Sequence, residues 1–188
     1  MAIRKVARLG HPVLRQKTRD LSPAEISAPA TVRLVEDMIE TMHEYGGVGL
    51  AAPQVHESVR LAVLEFDQDS ERYDVEKAQP LLVVFNARVS VLDPSPHGFW
   101  EGCLSVPGMR GYVERPRKIQ VDYLDAEARP QRVVAEDFLA TVFQHELDHL
   151  DGVLYVDRIA DPTKFAFTEE YQRYHLPAHD SGDDTAEG

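Results

Sequence analysis

The sequence predicts a mixed helix-and-strand domain with one helix buried inside it. Three observations carry this. Segments 31–45 and 136–150 repeat their apolar residues at helical spacing. Between them lie runs rich in β-branched residues, which read as strands. The second helix is apolar nearly all round, and such a helix belongs in an interior.

Taken in order, TVRLVEDMIETMHEY (31–45) is the first helix. Val32, Val35, Met38, Ile39 and Met42 form its apolar stripe, and Gly46–Gly47 stops it. VRLAVLEF (59–66) and PLLVVFNARVSVL (80–92) are strands. KIQVDYLD followed by AEARPQRVVA (118–135) alternates around a polar turn and reads as a hairpin. The second helix runs from Glu136 to Leu150, closed by Gly152. Leu139, Phe143, Leu147 and Leu150 make one apolar face, and Phe138, Val142, His145 and His149 another. Only Ala140, Gln144, Asp148 and Asp151 leave a polar stripe. The expected organisation is a single catalytic domain over 1–176 and a disordered acidic tail over 177–188, AHDSGDDTAEG being apolar-poor after Pro177.

The 188 residues carry a net charge of −12, from 20 basic and 32 acidic residues. That argues against binding DNA by phosphate neutralisation and against an anionic membrane. No apolar run reaches transmembrane length. The single cysteine, Cys103, excludes an intramolecular disulfide, so a reducing, cytoplasmic setting is expected. The first nineteen residues hold six basic residues and no acid, as a transit peptide does. They lack serine and contain Gly10 and Pro12, which favours a mature segment.

Residues 144–149 read QHELDH. Positions i and i+4 of a helix share a face, so His145 and His149 can address one ion. Glu146, one residue on, is rotated by about 100° and can overlook the ion without binding it. This is the HExxH arrangement, with the glutamate as general base. In a chain of this composition the motif arises by chance in roughly 3% of cases, so a lone match carries false-positive risk. Burial strengthens it, because two packed imidazoles need partners.

Two imidazoles leave a third ligand to find. An HExxHxxGxxH sequel would need histidine where the chain has Tyr155. Glu169 and Glu170 are downstream candidates. Cys103, in FWEGCLSVPG, is the other; a lone cysteine is more often a small core residue, but here it sits in a loop-like stretch between strands. A thiolate with two imidazoles leaves the open fourth position that catalysis requires.

The glycine stretch EYGGVGLAAPQ (44–54) is not a phosphate cradle, since no Lys-Ser or Lys-Thr follows. Gly46 or Gly47 caps the first helix. Gly49, Ala51 and Ala52 stay small, as close approach of a ligand's backbone would require. Gln54 offers an amide donor at the end of the strip.

Together, GVGLAAPQ (47–54), EGCLS (101–105) and QHELDH (144–149), in this order, resemble peptide deformylase. The similarity covers residues 5–160, including GHPVLR and PGMRGYVERP. The resemblance implies an α+β fold, with antiparallel sheets around a central buried helix that carries the HExxH motif. It implies a hydrolase that removes the formyl group from the N-terminal formylmethionine of nascent chains, at the ribosome. It assigns Cys103, His145 and His149 to the metal and Glu146 to proton transfer. Gln54 and the Leu104 backbone N–H become oxyanion donors. Val48, Gly49 and Gly102 pair with substrate, Phe99, Thr141 and Val142 line the methionine pocket, Arg110 stands at its rim, and Glu101 supports the ligands. The implied metal is Fe²⁺ in the cell, with Zn²⁺, Ni²⁺ or Co²⁺ as substitutes in a purified sample.

Overall fold

A computed structural model describes residues 2–66 and 79–176. In chain order it contains α1 (Pro23–Ile26), α2 (Pro29–Glu44), β1 (Gly49–Ala51), β2 (Leu61–Phe66), β3 (Gln79–Cys103), β4 (Val106–Leu124), β5 (Pro130–Glu136), α3 (Asp137–Leu150), β6 (Phe165–Phe167) and α4 (Thr168–Tyr174). Short 3₁₀ turns occupy Pro12–Arg15, Ala52–Val55, Tyr155–Arg158 and Pro162–Lys164. The tail expected to be disordered, 177–188, lies outside the described residues. Among the described residues no helix is long and apolar enough to cross a membrane.

All strand pairings are antiparallel, in the order β1-β2-β3-β4-β5, with β6 on β4. These are one hydrogen-bonded sheet rather than separate sheets, because β3 and β4 are long enough to run through all of it. β3 continues well past the expected end at residue 92, through Pro94, Pro96 and Gly98 to Cys103. Its register against β4 shifts between Val91 and Asp93, between Asp93 and Pro96, and between Glu101 and Cys103. Such bulges accommodate prolines that would otherwise interrupt a ladder. The stretch that reads as a loop around Cys103 is therefore the end of a strand, turned tightly so that Cys103 opposes Val106. The expected hairpin at 118–135 is the β4–β5 pair, closed where Ala128 N–H donates to the Asp125 carbonyl (2.9 Å) and Ala128 takes a φ of 57°.

β2 explains the packing. Leu61 and Val63 face α2, sharing a core with Leu34, Met38 and Met42. Ala62 and Leu64 face α3, sharing a core with Ala140, Phe143, Leu147 and Leu150. A strand covered on both faces reads as an unbroken apolar run, as LAVL does. The buried stripe of α2 differs from the expected one: Val32 is exposed, whereas Leu34, Met38, Thr41 and Met42 are buried. Thr41 can be buried because its hydroxyl accepts from Arg4 N–H and donates to the Asp37 carbonyl.

α3 begins where Asp137 (φ 53°) accepts from Arg117 Nε and contacts His97 Nδ1, both at 2.8 Å. An acid there suits the helix N-terminus and ties it to both long strands. Apart from Gln144 and Asp148, α3 is buried from Ala140 to Leu150, including Ala140 from the expected polar stripe.

Phe143 is fully buried between α3 and the sheet, whereas Val91 is half exposed on β3. Phe143→Ala is expected to cost about 3–5 kcal/mol, and Val91→Ala to stay within about 0.5 kcal/mol. Chemical denaturation at equal metal loading measures both. Equal costs would mean that α3 is not packed as described.

Candidate metal centre and active site

The helical spacing of α3 brings His145 and His149 together, ring centroids 5.2 Å apart. The β3–β4 turn delivers Cys103 to the same place, its Sγ 3.3 Å from His149 Nε2. One ligand atom from each of the three lies within 4.8 Å of the others. This is the only such group of donors among the described residues. Glu169 is exposed on α4, and Glu170 pairs with Arg173 on the same helix. Of the candidates for a third donor, Cys103 and not the downstream glutamates stands beside the two histidines. Tyr155, at the place of the missing histidine, stacks on His145 with centroids 5.9 Å apart.

The donors are held from behind. Glu101, two residues before Cys103, meets His145 Nδ1 at 2.7 Å. With Nδ1–H donated to a carboxylate, the Nε2 lone pair is left for an ion. Arg115 grips Glu101 with Nε and Nη2 (2.6 and 3.0 Å) and donates to Asp148 through Nη1 (2.8 Å). Arg158 holds Asp148 from the solvent side. Glu101 and Arg115 are 4% and 3% exposed, so these charges must be paired. Glu101 was anticipated here; Arg115 and Asp148 were not. An arginine in a strand ordinarily reads as solvent-facing, and nothing in its neighbours along the chain marks it as buried.

Burial opposes charge on His145, but the Cys103 sulfur and Glu101 outweigh it and raise the imidazole well above its ordinary value. Burial, then the charge of His145, hold His149 well below its own. Burial raises Glu101 too, yet His145 and Arg115 bring it below the usual glutamate value. A soft thiolate, two imidazoles and a carboxylate behind one of them suit a divalent transition metal.

Glu146 is buried, and burial pushes its carboxyl up to about 7. Its Oε2 has no hydrogen-bond partner. Gly49 makes room for it: a Cβ there would stand 2.5 Å from Glu146 Oε1. The smallness of Gly49 thus serves Glu146 directly. Ala51 and Ala52 are small for a different reason than the close approach of a ligand, since both are fully buried in the two cores beside β2. Gln54 is anchored by Ala51 N–H donating to its Oε1 (2.8 Å), so its Nε2 faces Ser105 Oγ (3.3 Å) and Cys103 Sγ (3.5 Å). Gly102 lies under Arg110, whose Nη1 would be 2.8 Å from a Cβ there.

A cavity of about 880 Å³ opens over this cluster. Val48, Gly49, Gln54, Gly102, Cys103 and Leu104 line it, as do His145 and Glu146. Phe99, Arg110, Thr141 and Val142 also line it, joined by Phe138, which meets Phe99 edge-on at 5.7 Å.

The family model for polypeptide deformylase matches residues 3–165. A peptide deformylase of Leptospira biflexa is 45% identical over 170 residues, covering 90% of this chain and 95% of that protein. The class I type b peptide deformylase of Acinetobacter baumannii, solved with Met-Ala-Ser bound, superposes with a TM-score of 0.80 at 34% identity, over 84% of this chain and 99% of that one. A peptide deformylase of Synechococcus elongatus in complex with actinonin gives 0.75 at 35% identity, over 92% and 86%.

Arg115→Ala would leave Glu101 and Asp148 short of a partner, one of them fully buried. It is expected to cost about 3–5 kcal/mol, against at most about 1 kcal/mol for Arg158→Ala at the exposed end. Denaturation curves compare the two. A cost for Arg115 no larger than that for Arg158 would remove it from the support of the site.

Proposed function

Because the chain belongs to the polypeptide deformylase family, a metal-dependent hydrolase that takes the N-formyl group from new polypeptides, we propose which residues carry the reaction. Cys103, His145 and His149 hold the ion, and Glu146 moves the proton. The observation that carries this reading is a buried Glu146 with an unpartnered oxygen, lining the cavity beside the three grouped donors.

When bound, a divalent ion supplies Lewis acidity and makes water a nucleophile near neutral pH. Glu146 accepts the proton of the attacking water and delivers it to the leaving amine. Charge that develops on the formyl oxygen meets two donors, Gln54 Nε2 and the Leu104 backbone N–H. Gln54 is suited to this because its other amide atom is already tied to Ala51 N–H. The backbone of Val48, Gly49 and Gly102 takes the substrate as an added strand. Phe99, Thr141 and Val142, with Phe138, receive the methionine side chain, and Arg110 stands at the rim. The products are formate and a peptide with a free methionine amine.

The metal in the cell is Fe²⁺ in this reading, with Zn²⁺, Ni²⁺ or Co²⁺ substituting in a purified sample. The thiolate–imidazole set is compatible with all four. α3 is the central helix that carries the motif, residues 1–176 act as one catalytic domain, and 177–188 are an appendage. The enzyme acts in the cytoplasm on chains emerging from the ribosome.

Two variants test the assignment on a formyl-Met tripeptide, with formate release and metal content measured together. Glu146→Ala keeps its metal while turnover falls by about 10²–10⁴, the range for a lost general acid–base group. Cys103→Ala loses the metal, having only two imidazoles left. A Glu146 variant that sheds its ion, or a Cys103 variant that retains it, would overturn the ligand set.

A further inference from the structure

The charges around the cavity mouth are one-sided. Among the described residues that line it, the carboxylates are Glu101 and Glu146, both buried and both used within the site. The exposed charged side chains on the N-terminal segment at the lining are Lys5 and Arg8. Neither makes an ion pair among the described residues. Their neighbours do: Arg4 is bonded to Asp37 and Glu57, Arg15 to Asp157, and Arg19 to Glu25. Two unpaired cations at the mouth of the active cavity stand out on a chain with net charge −12.

The backbone fixes where these cations stand. Ala7 N–H donates to the Gln54 carbonyl and Leu9 N–H to the Ser105 carbonyl, both at 2.7 Å. Arg8 is thereby held between the residue placed at the formyl oxygen and the strand turn that carries Cys103. Phe99 and Phe138, where the methionine side chain goes, are supplied by β3 and the start of α3. A peptide anchored there leaves the cavity along other residues, and Leu104, Gly47 and the N-terminal segment are the lining adjoining Cys103 and Gln54. Lys5 and Arg8 line the same cavity as Phe99 and Phe138, and an extended chain that leaves along this lining carries the residues two and three after the methionine about 7–10 Å onward.

Resting on the activity proposed above, we infer that Lys5 and Arg8 form a specificity subsite for an acidic side chain at the third or fourth residue of the formylated peptide. The acidic protein as a whole repels such a peptide, and screening limits that field to about 8 Å at physiological salt. Local cations at the exit can therefore decide the preference.

The test compares C-terminally amidated formyl-Met-Ala-Glu-Ala and formyl-Met-Ala-Lys-Ala, and the corresponding pair varied at the fourth residue, with neutral formyl-Met-Ala-Ala-Ala amide as reference. The metal-loaded wild type is expected to favour the glutamate peptide in kcat/KM by roughly three- to tenfold, the scale that exposed charge pairs support. The difference should lie in KM and shrink as salt rises. In Lys5→Glu/Arg8→Glu the preference should reverse; Lys5→Ala/Arg8→Ala should abolish it if the charge reversal does not fold. A wild type that cleaves all peptides equally overturns the subsite but not the deformylase reading, whereas a wild type inactive on the neutral peptide overturns the reading itself. Equal cleavage together with salt-sensitive retention of a short RNA, lost in the double variant, would assign the two cations to phosphate and sink the proposal.

Discussion

Arg115 bonds to two carboxylates at once, and the proposed metal centre depends on that. Through Glu101 it fixes the strand end that carries Cys103 and the ring of His145. Through Asp148 it fixes α3 one turn further on. The proposed ligands come from a strand and a helix 42 and 46 residues apart in sequence, and local structure alone would not bring them together. A buried guanidinium with three aligned bonds converts that separation into a defined geometry. Such a chain of charges is costly to desolvate and adds little net stability, but it is intolerant of losing a member.

The surroundings make the arrangement rigid. β2 is packed between α2 and α3, so its odd and even residues serve two different cores. α3 therefore rests on a sheet that is itself backed by a second helix. Helix and strand ligands supported in this way hold their rotamers better than ligands on loops.

The glycines of the site answer to side chains of the protein as much as to substrate. Gly49 yields space to Glu146, and Gly102 to Arg110. A methyl group at Gly49 would press on the carboxylate that transfers the proton in the proposed reaction. The small residues next to it in sequence, Ala51 and Ala52, are core.

Much of this was legible along the chain. The apolar face of 136–150 announced a buried helix, because periodicity is a local property. The i, i+4 histidines announced a shared face, and the ordered motifs pointed to Cys103 and Gln54. What the chain could not disclose concerns pairing at a distance. Leu34 rather than Val32 is buried on α2 because Leu34 joins the core built with Leu21, Ile26 and the residues of β2. β3 continues through two prolines because bulges against β4 absorb them. Arg115 is interior because Glu101 and Asp148 happen to flank it in space. The sequence by itself determined the elements, the donor types and their helical spacing, all set by bonds between near neighbours. Only the tertiary structure decided which charges are buried and which cations remain unpaired at the cavity mouth, because a charge's partner and its exposure depend on residues that the chain brings together only on folding.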